Sequence, residues 1–316
     1  MTARRGPDFQ QLGEIEYGRV DRVAPMLRRV IAENPSKFTY KGTGTYIVGE
    51  GEVAVVDPGP MLDSHRDALA AALAGERVVA ICVTHCHSDH SPLAAWLREE
   101  TGAPTYAFGP HPPVDPGDEE ELDEEIGEGV KIEETTDFAF EPDVRVGDGE
   151  VAATGPGWTI SGVHTPGHTS NHMCFAFAEQ AVLFPGDHVM GWSTTVVSPP
   201  DGDMTAYIDS LRKVAGRAGD RTYWPTHGPS IDQPQRYVDA LVEHRLQRER
   251  QVLDAVASGL TEIPAIVALL YADVDEKLHK PAARSVLSHL VKLTDDGQVR
   301  VTDGPRPRLH SHFTAT

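Results

Sequence analysis

Cysteine, aromatic side chains and positive charge are all scarce in this chain. Its three cysteines (Cys82, Cys86 and Cys174) are too few and too oddly placed in 316 residues for a disulfide framework. Lysine and arginine number 28 against 48 acids, a formal charge of -20. That balance disfavours a broad electrostatic footprint for nucleic acid or an anionic membrane, while leaving room for a local basic groove. No stretch approaches the ~20 consecutive apolar residues of a membrane span. The opening Met1-Thr2-Ala3-Arg4-Arg5-Gly6-Pro7 has basic residues with no apolar run behind them, so a secretory signal is not expected. A cytoplasmic protein is the expectation, long enough for one large domain and a small second one.

What is abundant is histidine, and it is concentrated. Thr84 to His90 read T-H-C-H-S-D-H, directly after the apolar run Val78-Val79-Ala80-Ile81-Cys82-Val83. That run has the composition of a strand buried on both faces. His85 and His87 are two apart, so in extended chain they project to the same side, and Asp89 and His90 follow within reach of a second position. Three imidazoles and a carboxylate suit zinc, or less specifically manganese or iron. With 15 histidines in the whole chain, such a cluster at the end of a core strand argues against coincidence.

Three later segments follow the same grammar, each after strand-like apolar residues. They are Val163-His164-Thr165-Pro166-Gly167-His168-Thr169, Leu183-Phe184-Pro185-Gly186-Asp187-His188 and Tyr223-Trp224-Pro225-Thr226-His227-Gly228-Pro229. In the first two, Pro-Gly turns present a histidine or aspartate at the tip. Several strand ends, each delivering His or Asp, are how a site is assembled from loops on a rigid scaffold.

The ordered set T-H-C-H-S-D-H, T-P-G-H-T, P-G-D and T-H-G-P resembles the metallo-β-lactamase superfamily of binuclear metallohydrolases. The resemblance implies an α/β fold, an αββα sandwich with metals at one edge between the two sheets. It implies two zinc ions, with manganese or iron as alternatives. His85, His87 and His168 would hold the first metal, Asp89, His90 and His227 the second, and Asp187 would bridge them. Cys86 fills a variable position of the motif and is not expected to be a ligand.

Along the chain, Val23 to Ile31 reads as an opening strand or extended arm, and Phe38 to Asp57 as a hairpin closed by Asp57-Pro58-Gly59. Asp57 is weighed mainly as a turn residue beside the site. Ser64 to Leu73 has helical periodicity, with Ser64 or Asp63 as N-cap, and a second helix runs from Leu93 to about Gly102. Residues 115 to 137 are dominated by Asp and Glu with Lys131 the single base, as in an exposed, mobile segment, or one that screens the site against anions. Strands are expected at Pro104 to Phe108, Phe138 to Phe140, Val144 to Val146 and Val151 to Thr154, and an amphipathic helix from Met204 to Arg217. Ser170, Asn171 and His172 are candidates to touch substrate or orient ligands, with His172 a donor to a ligand. Thr194 and Thr195 are weighed as hydroxyl donors or simple turn residues, and His164 as structural.

From Gln233 the pattern is helical, ending in Val299-Arg300-Val301. Residues 1–232 are therefore expected to form the catalytic domain, 233–304 a winged-helix-like helical domain, and 305–316 a disordered tail. This C-terminal layout, with Leu278-His279-Lys280-Pro281-Ala282-Ala283-Arg284, resembles the lactamase-β-like protein 2 group within the same superfamily. His279 is either a residue at the site's rim or a packed histidine. Its apolar helices are compatible with a homodimer.

The activity implied is hydrolysis by a metal-bridging hydroxide, with Asp89 accepting the proton of water. A small ester, thioester or lactam-type substrate is the leading expectation. The alternative is cleavage of single-stranded RNA, for which Lys277, Lys280, Arg284 and Lys292 would supply a basic face. A winged-helix regulator with a vestigial metal domain is disfavoured by the intact donor set.

Overall fold

The computed structural model describes residues 6–113, 135–273 and 279–316. At its centre two sheets pack face to face. A hairpin of β1 (Val20–Ala24) and β2 (Leu27–Ile31) leads into the antiparallel pair β3 (Gly44–Glu50) and β4 (Glu52–Val56). Helix α1 (Asp63–Ala72), β5 (Arg77–Cys82), helix α2 (Leu93–Thr101), β6 (Thr105–Ala107) and β7 (Val144–Arg145) complete the first half. Strands β4 to β7 run parallel, and the first sheet keeps the order β1 to β7. The second sheet, ordered β12-β11-β10-β9-β8, comprises β8 (Val151–Gly155), β9 (Trp158–His164), β10 (Met173–Phe177), β11 (Val182–Phe184) and β12 (Thr222–Tyr223).

The period-two alternation of the strands decides which face each residue serves. Tyr46, Val48, Ala54 and Val56 of the first sheet meet Trp158, Ile160, Met173, Phe175 and Phe177 of the second in one core. Their neighbours point outward: Ile47, Val53 and Val55 pack with Leu69 of α1 and Leu93 and Leu97 of α2. On the far side Cys174, Ala176 and Leu183 pack against helices α3 (Met204–Ala215) and α4 (Pro234–Ala257). Strands buried on both faces explain why β4, β5 and β10 read as near-continuous apolar runs. The layers are therefore helix, sheet, sheet, helix, the αββα arrangement that the motifs implied.

Helix α4 spans 24 residues, roughly 36 Å at 1.5 Å per residue. Its first turns (Tyr237, Val238, Leu241) belong to the core beside the second sheet. Its last turns (Val252, Ala255, Val256) belong to a separate core with helices α5 (Ile263–Leu270) and α6 (His279–Asp295). A boundary at 232/233 thus falls at the start of a helix shared by both units. Strands β13 (Val299–Val301) and β14 (Phe313–Ala315) close the smaller core as an antiparallel pair.

Three local expectations change. Helix α1 begins at Asp63 with Leu62 at the cap and no side-chain cap; the Leu62 N–H turns onto the Pro60 carbonyl at 2.7 Å, and Asp63 pairs with Arg66 instead. Phe138 to Phe140 is a turn, because Asp137 takes the N–H of Ala139 on its side chain and that of Phe140 on its carbonyl. The segment expected as a disordered tail carries β14, whose fully buried Phe313 plugs the C-terminal core. Most of the acidic run lies outside the described residues. Its last three residues are pinned on the histidine loop: Thr136 bridges His87, and the Thr135 carbonyl accepts the Ser88 N–H at 2.8 Å.

Candidate metal centre

Each donor is delivered by the end of a strand or the turn after it. The chain leaves β5 at Cys82 and places His85, His87, Asp89 and His90 above the sheet edge. His168 follows β9, Asp187 follows β11 and His227 follows β12. Two glycines make these approaches. At Gly167 (φ 137°) an added Cβ would lie 2.3 Å from the Tyr207 Cα, and at Gly186 (φ 52°) 2.7 Å from the His172 ring and 2.8 Å from the Thr84 hydroxyl.

The geometry brings all seven residues together. The inward atoms of His85, His87 and His168 lie within 4.8 Å of one another, as do those of His85, His90 and Asp187, and those of Asp89, His90 and His227. His85 Nε2 is 2.9 Å from His87 Nδ1, which is 3.2 Å from His168 Nε2. Asp187 Oδ1 stands 3.6 Å from His90 Nε2 and 3.5 Å from His227 Nε2. His227 Nε2 is 3.0 Å from Asp89 Oδ2.

The outer ring nitrogens fix the tautomers that make this inward display useful. His168 donates its Nδ1–H to the Val196 carbonyl at 2.6 Å, and His227 donates to that of Gly42 at 3.3 Å. His90 donates to Asp57 Oδ2 at 2.9 Å. Thr84 gives its hydroxyl proton to that same oxygen, so its oxygen accepts from His85 Nδ1 at 3.0 Å.

Asp57 is the hub beneath the site. Fully buried in the left-handed region (φ 49°), it also accepts the Thr84 N–H at 2.8 Å and the Thr226 hydroxyl at 2.9 Å. Its role is to orient, beyond the turn residue weighed from sequence. The signal was present: Asp57-Pro58-Gly59 after an apolar strand repeats the grammar of the other site segments.

The residues fit divalent cations. His90 Nε2 and Asp187 Oδ1 are buried polar atoms without a hydrogen-bond partner, a costly state unless something positive sits between them. Burial, then the neighbouring His168, push His87 down to about 3, and His85 and His168 are likewise lowered first by burial. Those three rings are neutral with lone pairs free. Burial also opposes charge on His90 and His227, yet the acids around them, Asp89 and Asp187 for both, win and hold both above the ordinary range. Asp187 is held well below the carboxylate range, its desolvation outweighed by His227 and His90. The carboxylates thus demand compensating positive charge, which metal ions supply as well as protons do.

The other candidates sort by contact. His172 is an acceptor: its Nε2 takes the Asp187 backbone N–H at 3.3 Å while Nδ1 meets the Thr165 hydroxyl at 2.9 Å. Asn171 is buried and donates to Cys86 Sγ and to the Gly109 carbonyl, both at 3.0 Å. Ser170 engages Asp201 through its backbone N–H. Cys86 is outside the donor groups, its thiol pushed up to about 11 by burial. Thr195 donates its hydroxyl to the Asp187 carbonyl at 2.7 Å, whereas Thr194 only accepts from Ser193 through its carbonyl. His164 stacks on Phe108 with ring centroids 3.7 Å apart. His279 is in none of the donor groups among the described residues, and its buried Nε2 has no partner.

This fold and site define a hydrolase of the metallo-β-lactamase type with a winged-helix appendage. The family model for the metallo-beta-lactamase superfamily matches residues 41–227, more than half the chain, and that for the beta-lactamase associated winged helix domain matches residues 263–306. The chain belongs to the metallo-β-lactamase superfamily. It is 31% identical over 287 residues to a beta-lactamase-like protein 2 homolog of Caenorhabditis elegans, covering 89% of this chain and 88% of that one. It is 31% identical over 303 residues to an atrochrysone carboxyl ACP thioesterase of Aspergillus fumigatus, covering 89% and 84%. A beta-lactamase domain protein from Burkholderia ambifaria shares the fold at a TM-score of 0.74, 21% identity and 95% and 94% coverage. A metallo-beta-lactamase family protein from Thermus thermophilus does so at 0.72, 22% identity and 93% and 100% coverage.

Proposed function

We propose that this enzyme is a two-zinc hydrolase of a small thioester, ester or lactam-type substrate, with thioesters foremost. His85, His87 and His168 would hold one ion, Asp89, His90 and His227 the other, and Asp187 would lie between them. The observation that carries the reading is the buried Asp187 Oδ1, which has no hydrogen-bond partner yet lies within 3.6 Å of both His90 and His227. The relative named as a thioesterase supports an acyl substrate.

When bound, a pair of divalent ions supplies Lewis acidity that brings the pKa of water towards neutrality and polarises an acyl oxygen. The protein's part is orientation and proton transfer. Asp89 accepts the proton of the attacking water; its Oδ2 already faces His227 Nε2 and takes the Thr43 hydroxyl at 3.4 Å. Burial raises the Asp89 carboxyl, but His90 and His227 outweigh it and keep it ionised. Asp57, Val196 and Gly42 hold the imidazoles in register throughout.

Of the basic face that RNA cleavage needs, Lys292 is engaged by Glu249 at 3.3 Å and Asp296 at 2.6 Å, which counts against that alternative; Lys277 lies outside the described residues. No described helix is long and apolar enough to cross a membrane. The three free, buried cysteines suit a reducing cytoplasm.

The test is metal analysis followed by a panel of acyl thioesters, lactones, a chromogenic cephalosporin and single-stranded RNA. The expected result is about two zinc ions per chain, by analogy with two-metal sites, and turnover of thioesters ahead of the rest. A metal-free protein, or cleavage of RNA alone with steep salt dependence, would overturn the assignment.

A further inference from the structure

The irregular segment Thr195 to Asp201 touches the donor cluster at two points and its flank at a third. The Thr195 hydroxyl holds the Asp187 carbonyl at 2.7 Å and meets that of His188 at 3.1 Å. The Val196 carbonyl takes the His168 Nδ1 proton at 2.6 Å. Asp201 accepts the backbone N–H of Ser170, two residues past His168, at 2.8 Å. Such a strap decides which nitrogen of His168 faces the cluster and where the Asp187 backbone lies.

The strap is itself held from its outer side by the C-terminal helices. Arg245 of α4 donates to the Thr195 carbonyl, and Arg284 of α6 donates to the Ser198 hydroxyl at 3.3 Å. Arg245 is the more telling of the two. It is only 4% exposed, its guanidinium sits 5.2 Å over the Tyr207 ring, and its Nε has no partner. Among the described residues no carboxylate pairs with it. A buried cation without a counter-ion is costly, and an apolar side chain would pack there at less expense. Tyr207 reinforces the same point, donating its hydroxyl to the His188 carbonyl at 3.1 Å. Threonine and tyrosine thus converge on the carbonyls of Asp187 and His188, and Arg245 holds that threonine from behind through its own carbonyl.

We propose that Arg245 and Arg284 are positioning residues for the metal centre, through which the C-terminal helical unit holds the Thr195–Ser198 strap against His168 and Asp187. On this inference, which rests on the metal-centre reading, the C-terminal unit is a working part of the hydrolytic site. A slip of about 1 Å in the strap would break the 2.6 Å contact from His168 to Val196, because hydrogen bonds of this kind weaken steeply with distance and angle. His168 would then lose its fixed tautomer.

The test compares the full-length wild type with Arg245→Met, Arg245→Lys and Ser198→Ala. Zinc affinity is measured by competition with a chromophoric chelator, beside kcat, KM and thermal unfolding. Arg245→Met and Ser198→Ala should each weaken zinc binding about tenfold, the scale of losing a group that orients a ligand. They should lower kcat with KM little changed, and Arg245→Lys should recover part of the loss. Arg245→Met combined with Thr195→Val should be no worse than the poorer single variant, since both act through one strap. Ser198→Ala removes only a half-buried hydroxyl, so it decides the matter even if Arg245→Met fails to fold. Wild-type zinc affinity and kcat in the folded variants, with thermal stability alone reduced, would mean simple packing and overturn the inference. A wild type that takes up no zinc would instead sink the metal-centre reading, and this inference with it.

Discussion

Replacing Asp57 by Asn changes one atom of the carboxylate and should cripple a site to which it contributes no inward-facing donor atom. Oδ2 accepts three donors at 2.9 Å, from Thr84 Oγ1, Thr226 Oγ1 and His90 Nδ1, and Oδ1 accepts the Thr84 N–H at 2.8 Å. An amide has one oxygen. If it replaces Oδ2, its NH2 confronts the Thr84 N–H; if it replaces Oδ1, the NH2 confronts three donors. The first arrangement is cheaper, leaving one buried donor unsatisfied at about 1–3 kcal/mol and reducing three charge-assisted hydrogen bonds to neutral ones. At about 1 kcal/mol for each of the three weakened bonds, the sum is about 4–6 kcal/mol of stability, so zinc affinity is read below the variant's own unfolding temperature. The larger effect is on His90, whose Nδ1–H loses its ionic partner, and the expected loss of affinity for the ion it would hold is about tenfold to a hundredfold. Chelator competition on Asp57→Asn, with thermal unfolding in parallel, measures both. Thr226→Val, which removes one donor and keeps the charge, should lose less. Wild-type zinc affinity in folded Asp57→Asn would refute the reasoning.

Other perturbations separate the donors from their scaffold. Asp187→Ala or His87→Ala should abolish hydrolysis and lower metal content, and unchanged turnover in either would contradict the ligand assignment. Asp89→Asn should depress turnover far more than thermal stability; equal loss of both would remove its proton role. His65, buried beneath Gly59 and 2.9 Å from the Thr45 hydroxyl, is pushed down to about 4 by burial. The unfolded chain therefore takes up its proton first as pH falls below about 6.5, so the His65 contribution is full above that pH and lost towards pH 4, at up to about 1.4 kcal/mol per unit. Denaturant unfolding of metal-free protein at pH 7 and pH 5 should show this loss, reduced in His65→Gln, and an identical pH dependence in the variant would exclude it. Phe313→Ala should destabilise the smaller core by about 3–5 kcal/mol; limited proteolysis should then cleave first within the C-terminal unit, and a wild-type pattern would mean that β14 contributes little.

The strand-end donors were legible because each is a local pattern: an apolar run, a turn and a donor, repeated at His85, His168, Asp187 and His227. The fold was legible for the same reason, since strands buried on both faces leave uninterrupted β-branched and aromatic runs, as in β4 and β10. Legibility failed in two ways: short-range turns that residue propensity does not mark, at Asp63 and Asp137, and a burial settled only at long range, at Phe313. Asp63 looked like a helix cap until the Pro60 turn set the entry of α1. Phe138 to Phe140 looked like a strand until the Asp137 side chain captured a backbone N–H. Residues 305–316 are polar and rich in proline, yet one aromatic at position 313, fully buried, is enough to tie the end of the chain to β13.

The supports of the site fail to show in the sequence for a deeper reason. Val196 and Gly42 act through carbonyls, which every residue possesses, so no side-chain pattern can mark them. Asp57 lies in sequence 27 residues from Thr84 and 169 from Thr226, and its register with both is settled only when the two sheets close. Arg245 reads as one more polar position on an amphipathic helix until the fold sets it over Tyr207 with a carbonyl for a partner. Donor identity is thus a property of the local chain, whereas donor orientation is a property of the packed layers. Substitutions in the supporting set should accordingly leave motif and fold intact while degrading the chemistry.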